Sequence, residues 1–173
     1  MKINVKVEGV SPLIMHKFII NPEATSRGKK VYIPEEEAEK VAYRNEKGEL
    51  VLPTTHFKAA MTKSATEFTA KGKKTYKDFI KSGLMFEETE TILDQQEYEI
   101  YTCAVVIARS RIARSRPRIN KWSCGFTMEI TDETWLNPTV VKEILEAAGK
   151  FKGVGDNRPE FGRFKITEFK TIK

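Results

Sequence analysis

The sequence predicts an α+β domain whose elements follow the order β-α-β-β-α-β, the ferredoxin-like arrangement. Alternating apolar and polar residues indicate four long strands, at 2–10, 97–107, 119–130 and 164–172. Two amphipathic segments, beginning at 54 or 55 and at 138, indicate the helices between them. A chain of 173 residues can bury a core without disulfides or metal, so we expect one domain over 1–173.

The first strand and the crossover that follows it make up the first third of the chain. The strand buries the face that carries Ile3, Val5 and Val7, and it ends at Ser11-Pro12. The crossover to the first main helix contains an insertion. We expect in it a short strand at 31–33, a brief helix opened by Pro34 and three glutamates, and an extended piece at 50–53.

The first main helix begins with Thr54 or Thr55 as the expected N-cap. Its apolar stripe has helical spacing and consists of Phe57, Ala60, Met61, Ser64, Ala65 and Phe68. The basic segment 71–81 predicts a turn and a short exposed helix that ends at Ser82-Gly83, and small strands or a hairpin follow at 84–86 and 91–93.

The second half of the chain predicts a long hairpin, a helix and a final strand. Strands 97–107 and 119–130 would pair with each other, and the second of them would turn alternate side chains inward, from Trp122 to Ile130. Asn137-Pro138 opens the second main helix, which we expect over 138–148. The last strand follows a glycine-rich loop.

The most basic run of the chain lies between these two long strands. It contains Arg109, Arg111, Arg114, Arg116 and Arg118, is closed by Lys121 and Trp122, and has no acidic residue between 109 and 121. At the tip of a long hairpin it would form a cationic finger, and guanidinium groups among small residues suit backbone phosphates. The alternative is a solvated hairpin whose charge only prevents aggregation at a sheet edge.

A second candidate site is the glycine-rich loop 153–164, between the second helix and the last strand. Gly153, Gly155 and Gly162 allow positive φ or close approach to another molecule, and Arg158 and Arg163 add charge. Such a loop suits an anion, most naturally a phosphate. The alternative is a plain connection in which Gly149 ends the helix.

Composition limits the function classes. Lys and Arg total 30 against 24 Asp and Glu, for a formal net charge of +6, which favours nucleic acid as partner. No apolar run is long enough for a membrane span, and the two cysteines fit a reducing, cytoplasmic setting. Cys103 and Cys124 would lie on neighbouring strands as small core residues, so we expect no metal and no cofactor. His16 and His56 are the only candidates for a general base.

Three stretches together resemble the RAMP superfamily, the CRISPR-associated RNA-binding proteins with an RRM-like, ferredoxin-like fold. They are Ser11-Pro12-Leu13 after the first strand, the segment Leu52 to Ala60 that enters the first helix, and the loop Gly153 to Phe164. The order of elements matches over the whole chain. The sequence departs from the family pattern at Phe164, where the family loop usually has another glycine.

The resemblance implies a backbone subunit that polymerises along single-stranded RNA, with other effector subunits as further partners. Lys58 and Lys63, the arginines and the glycine loop would then hold sugar-phosphate, and Trp122 or Phe161 would stack on bases. Family members that cleave target RNA carry an aspartate on the first crossover, and this crossover has none. We therefore expect RNA binding without cleavage and independent of sequence.

Other functions remain open from the residues alone. One is a single-stranded DNA binding or annealing protein, which phages also use. Another is a metal-independent endoribonuclease that uses His16 or His56. A third is an interaction protein whose basic finger docks on an acidic partner.

Overall fold

The computed structural model describes residues 1–19, 32–107 and 109–172. The strands are β1 (Lys2–Gly9), β2 (Leu13–Ile14), β3 (Val51–Pro53), β4 (Leu84–Phe86), β5 (Glu90–Ile92), β6 (Glu99–Ile107), β7 (Ser110–Ile119), β8 (Ser123–Ile130) and β9 (Phe164–Ile172). The helices are α1 (Pro34–Val41), α2 (Thr54–Ser64), α3 (Lys77–Gly83) and α4 (Pro138–Ala147). Of the expected strand at 31–33, residue 31 lies outside the described residues, and Tyr32 and Ile33 precede α1 without strand structure.

The main sheet has the strand order β4-β8-β1-β9, and its paired strands are antiparallel. With α2 and α4 as the crossovers, the chain order is β1-α2-β4-β8-α4-β9. This arrangement confirms the predicted ferredoxin-like α+β fold. No helix among the described residues is long and apolar enough to cross a membrane.

The core lies between the inner face of this sheet and the two crossover helices. Ile3, Val5 and Val7 are buried on β1, as their alternation predicts. Phe57 of α2 packs between Phe126 and Phe164, with ring centroids 4.6 and 5.3 Å away. Thr54 is already helical, and its hydroxyl donates to Glu88 and Thr89 carbonyls, so the expected side-chain N-cap is absent.

The predicted identity of the second core strand was wrong. The short strand β4 takes that place beside β8, whereas segment 99–107 pairs only with β7 in a separate sheet of order β2-β7-β6. The length of a segment is a weak guide to whether it forms a core strand. β4 has only three residues, yet its buried Leu84 lies on the hydrophobic face of the sheet. The long hairpin β6–β7 is therefore an insertion after the second core strand.

This register also separates the two cysteines, which we expected on neighbouring strands. Cys103 lies opposite Arg114 in the small sheet, and Cys124 lies opposite Val7 in the main sheet. Burial raises the pKa of the Cys124 thiol to about 12, which makes it an inert core residue.

Helix α1 lies along β7 and fixes the small sheet to the rest of the molecule. The Glu37 carboxylate accepts hydrogen bonds from the Ser115 backbone N–H at 2.8 Å and from Arg114 Nη1 at 2.7 Å. Ser115, Pro117 and Ile119, on the other face of β7 from Arg114, are buried. The opposite face of β7 is thereby left for charged side chains.

Candidate nucleic-acid interface

Strand β7 sorts the basic run into two faces. Side chains alternate along a strand, so Arg114, Arg116 and Arg118 share the face opposite the buried Ser115 and Pro117. The run therefore lies along a strand and not at the tip of the hairpin, which corrects the predicted finger. The tip of the hairpin lies beyond the Ile107–Ser110 pair, and Arg109 has φ of 69° there. Arg109 and Arg111 are exposed beside it.

Strand β6 adds an aromatic ring to the arginine face. Tyr101 lies directly opposite Arg116, so the two share one face of the hairpin. The Arg118 guanidinium carbon lies 5.9 Å from the centroid of the Tyr101 ring, a cation–π distance. Tyr101 was not predicted as a site residue, because its place opposite Arg116 depends on the register in which Ile107 pairs with Ser110.

The glycine loop has a fixed fold of its own. Gly153, Gly155 and Gly162 have φ of 69°, 78° and 76°, as their predicted freedom of φ allows. A Cβ on Gly155 would lie 2.6 Å from the Ile14 carbonyl oxygen, and one on Gly153 would lie 3.0 Å from the Gly162 oxygen. These glycines therefore allow close approaches to the protein's own backbone. A ligand would bind to the charged side chains of the loop.

Gly149 does not end the helix, contrary to the alternative considered for this loop. One π turn, Ala148–Lys152, continues from α4, and Gly153 with its positive φ ends it. Gly149 is needed for packing instead, because a Cβ there would overlap Phe164.

The glycine loop docks on the arginine face of β7. The basic run and the glycine loop, which the sequence indicated as two separate candidate sites, therefore contact each other. Asp156 Oδ2 lies 2.6 Å from Arg116 Nη1, in an ion pair without hydrogen-bond alignment. The Phe161 ring lies 5.6 Å from the Tyr101 ring, centroid to centroid. We call this surface, formed by Arg116, Arg118, Tyr101, Asp156 and Phe161, the arginine–loop junction.

Both histidines lie beside this junction. His16 Nδ1 is 3.7 Å from Asp156 Oδ2. The Tyr43 hydroxyl donates to the His16 carbonyl at 3.4 Å, and the Tyr43 ring meets the His56 ring edge-on at 5.5 Å. Burial, and then the nearby charge of Arg158, lower the pKa of His56. Burial, and then Asp156, raise the pKa of Tyr43.

Several buried nitrogens of this region have no hydrogen-bond partner among the described residues. They are Nε of Arg116, Nε of Arg118 and Nδ1 of His56. The two guanidinium Nε–H groups are donors, and buried donors without partners cost free energy, so they favour a ligand that accepts hydrogen bonds. With two guanidinium groups among them, that ligand would be an anion.

Other cationic side chains of the basic run and the glycine loop, outside the junction, are more exposed than Arg116. Arg158 and Arg163 are exposed, and Arg163 Nε donates to the Pro159 carbonyl at 2.8 Å. Arg114 is 42% exposed although it pairs with Glu37. Lys121 is exposed in the turn after β7 and lines a groove of about 320 Å³ together with Arg118.

Two of the predicted contact residues are not available for a ligand. Trp122 is only 3% exposed, and its indole N–H donates to the Ser11 carbonyl at 2.9 Å, so its ring cannot stack on a base. Lys58 is half-buried and donates to the carbonyls of Ile80, at 2.7 Å, and Leu84. Burial lowers the pKa of Lys58. Both residues stabilise the fold. The prediction that they contact the ligand is therefore corrected.

Lys63 remains open as a contact residue. It is exposed on α2, seven residues after His56, which places it on nearly the same helix face and about 10 Å further along the axis. The structure describes no ion pair that joins it to the junction. Among the described residues, no three His, Cys, Asp or Glu side chains are grouped as metal ligands.

Comparison with known proteins bears on the fold. No family model matches the chain, and no curated protein sequence matches it. It is similar to one chain in the cryo-EM structure of Type III-B Cmr-beta bound to cognate target RNA. The match has a TM-score of 0.58 and 12% identity and covers 99% of this chain but 60% of that one. At this identity the similarity shows a shared fold.

Proposed function

We propose that this protein binds single-stranded RNA, without sequence preference and without cleavage, as a backbone subunit of a CRISPR-type ribonucleoprotein. The observation that carries the proposal is the arginine–loop junction, where buried guanidinium nitrogens and the glycine loop form one cationic surface. Fold similarity to a chain in a structure that contains target RNA supports RNA as the ligand. The predicted resemblance to RAMP proteins points the same way.

Charge on the main sheet argues that RNA does not bind there. RRM domains stack bases on aromatic residues of the sheet surface. Here the outer face of β1 and β9 carries ion pairs, Lys165 with Glu8 at 3.1 Å and Lys6 with Glu168 at 3.8 Å. Such a face neutralises itself, so the arginine–loop junction is the better phosphate surface.

Phosphate contacts make a direct prediction for salt dependence. Replacing Arg114, Arg116 and Arg118 together by alanine should weaken RNA binding and reduce the slope of log K against log salt by about 2, or about 0.7 for each lost contact. The matched control replaces the exposed Lys71, Lys73 and Lys74, which changes the net charge equally. An arginine variant with wild-type affinity and slope, titrated by fluorescence anisotropy, would refute the proposed interface.

Phosphate recognition alone does not separate RNA from DNA. Competition between RNA and DNA oligomers of one sequence tests this part of the proposal. Preference for RNA is expected, and equal or stronger binding of DNA would favour the annealing-protein alternative.

A second candidate function is metal-independent RNA cleavage, favoured by one observation. Tyr43 contacts both His16 and His56, and Asp156 lies beside His16, so two imidazoles lie next to the cationic surface. General acid–base chemistry on a 2′-hydroxyl needs such a pair. Cleavage of RNA in EDTA that is lost in His16→Ala or His56→Ala would establish it, whereas intact RNA would favour binding alone.

A further inference from the structure

Asp156 is the acidic residue that the glycine loop brings to the arginine–loop junction, and it lies against an arginine that is largely buried. The Arg116 side chain is 14% exposed, and the Asp156 carboxylate lies 2.6 Å from its Nη1. The same carboxylate oxygen is buried and makes no hydrogen bond to the described residues. The carboxylate therefore occupies the Nη1 side of the Arg116 guanidinium.

The backbone holds Asp156 in this place. Its N–H donates to the Ile14 carbonyl at 2.8 Å, and its neighbours Gly155 and Asn157 both have positive φ, of 78° and 51°. A Cβ on Gly155 would strike Ile14, so the loop cannot easily change its path here. The side chain, in contrast, can leave by rotation about χ1, because it is one-third exposed.

One carboxylate does not satisfy the donors that surround it. Nε of Arg116 and Nε of Arg118 remain without partners among the described residues, and His16 Nδ1 lies 3.7 Å from Asp156 Oδ2. A phosphodiester offers two non-bridging oxygens that share one negative charge, and guanidinium groups bind such oxygens in pairs. The junction therefore has more donor capacity than its own acid uses.

We infer that the Asp156 carboxylate occupies the subsite of one backbone phosphate and that RNA must displace it from Arg116 in order to bind. The inference rests on the proposed function and adds a specific subsite to it. Asp156 competes with the phosphate, so it lowers the affinity and lets the strand be released. A purely structural ion pair, by contrast, would orient Arg116 for the ligand and would raise the affinity.

The test is Asp156→Asn, which keeps the shape and removes the charge. RNA affinity should rise roughly three- to tenfold, the gain expected when an arginine is freed from one competing ion pair. The salt slope should stay close to that of the wild type, because Arg116 makes the same phosphate contact once Asp156 has been displaced. The control is Asp78→Asn, an exposed position on α3 with the same change of charge, which should leave both quantities near wild type.

A double variant shows whether the gain passes through Arg116. Asp156→Asn should give no gain when Arg116 is already alanine, since there is then no guanidinium to release. Each variant is melted first, because loss of the ion pair also removes a contact between the loop and β7. Folded Asp156→Asn with unchanged or weaker affinity, while Arg116→Ala still weakens RNA binding, overturns this inference alone. Wild-type protein without RNA affinity at low salt overturns the proposed function with it.

Discussion

The protonation of His56, in the interface region, depends on the fold. Its ring packs on Tyr43, and burial together with Arg158 lowers its pKa below the ordinary value. The unfolded chain therefore binds this proton more tightly than the native protein does. The free energy of unfolding should fall as the pH drops through about 6.5 and should level off below the native pKa of His56.

The measurement is urea unfolding over this pH range for wild type and His56→Gln. The variant should lose part of the acid-side decrease, because it removes a group that titrates only after unfolding. Equal pH profiles of the two proteins would contradict this account of His56. A histidine charged in the native state would produce the opposite change, with stability that increases toward low pH.

Residue type alone did not show that Tyr101, and not Trp122, lies on the arginine face, because both residues are aromatic and lie near the basic run. The alternation of β8 predicted an inward Trp122, and the structure buries it under Gly9, where a Cβ would overlap the indole. Its use as a base-stacking residue conflicted with that same pattern. Tyr101 is paired by the hairpin turn with Arg116, ten or more residues away in sequence, so no local pattern reveals it.

At the scale of elements, the glycine loop gives a graded stability prediction. Gly162 has φ of 76°, and a Cβ there would overlap the Val154 carbonyl. Gly162→Ala should lower the free energy of unfolding by about 3 kcal/mol, the sum of a left-handed backbone and a backbone clash. Gly48 is the matched control, since its φ is 80° but nothing lies within 4 Å of its Cβ position.

Gly48→Ala should cost about 1 kcal/mol, for the backbone conformation alone. Chemical denaturation of the two variants measures the difference. Equal losses would mean that Gly162 is not packed as described. A larger loss at Gly162, with weaker RNA binding at low denaturant, would show that the loop fold supports the interface.

The elements predicted best are those whose periodic pattern is long. The first strand, α2, α4 and the last strand appear where periodicity places them, within one residue at each end for α4 and β9. The second core strand was misassigned because β4 has three residues and its role depends on pairing with β8. The same error placed the basic run at a hairpin tip, whereas β7 begins at Ser110 and carries most of the run along a strand.

On the scale of the whole molecule, charge is unevenly arranged. The net charge of +6 is modest, yet the outer face of the main sheet is balanced by its own ion pairs. The hairpin face that carries Arg114, Arg116 and Arg118, together with the glycine loop, has five arginines against three acids, Glu99, Asp156 and Glu160. Long-range steering should therefore bring a polyanion to one side of the protein, and this asymmetry fits a subunit that tracks along a strand.

Polymerisation along RNA makes a prediction about the lengths of RNA that the protein protects. A subunit that tracks a single strand should protect RNA in lengths that increase by a constant step, one step for each added copy. Protein that binds RNA only as a monomer would protect one length. Sedimentation with RNA of increasing length distinguishes the two results.

The measurement that tests the central claim most directly is whether the protein, purified at moderate salt, carries nucleic acid. Its absorbance ratio is read first, and the extracted material is then digested with RNase and with DNase. The account predicts bound RNA that RNase removes, with protected fragments in regular steps, and loss of this RNA in the triple arginine variant. Clean protein that also fails to bind RNA at low salt would contradict it.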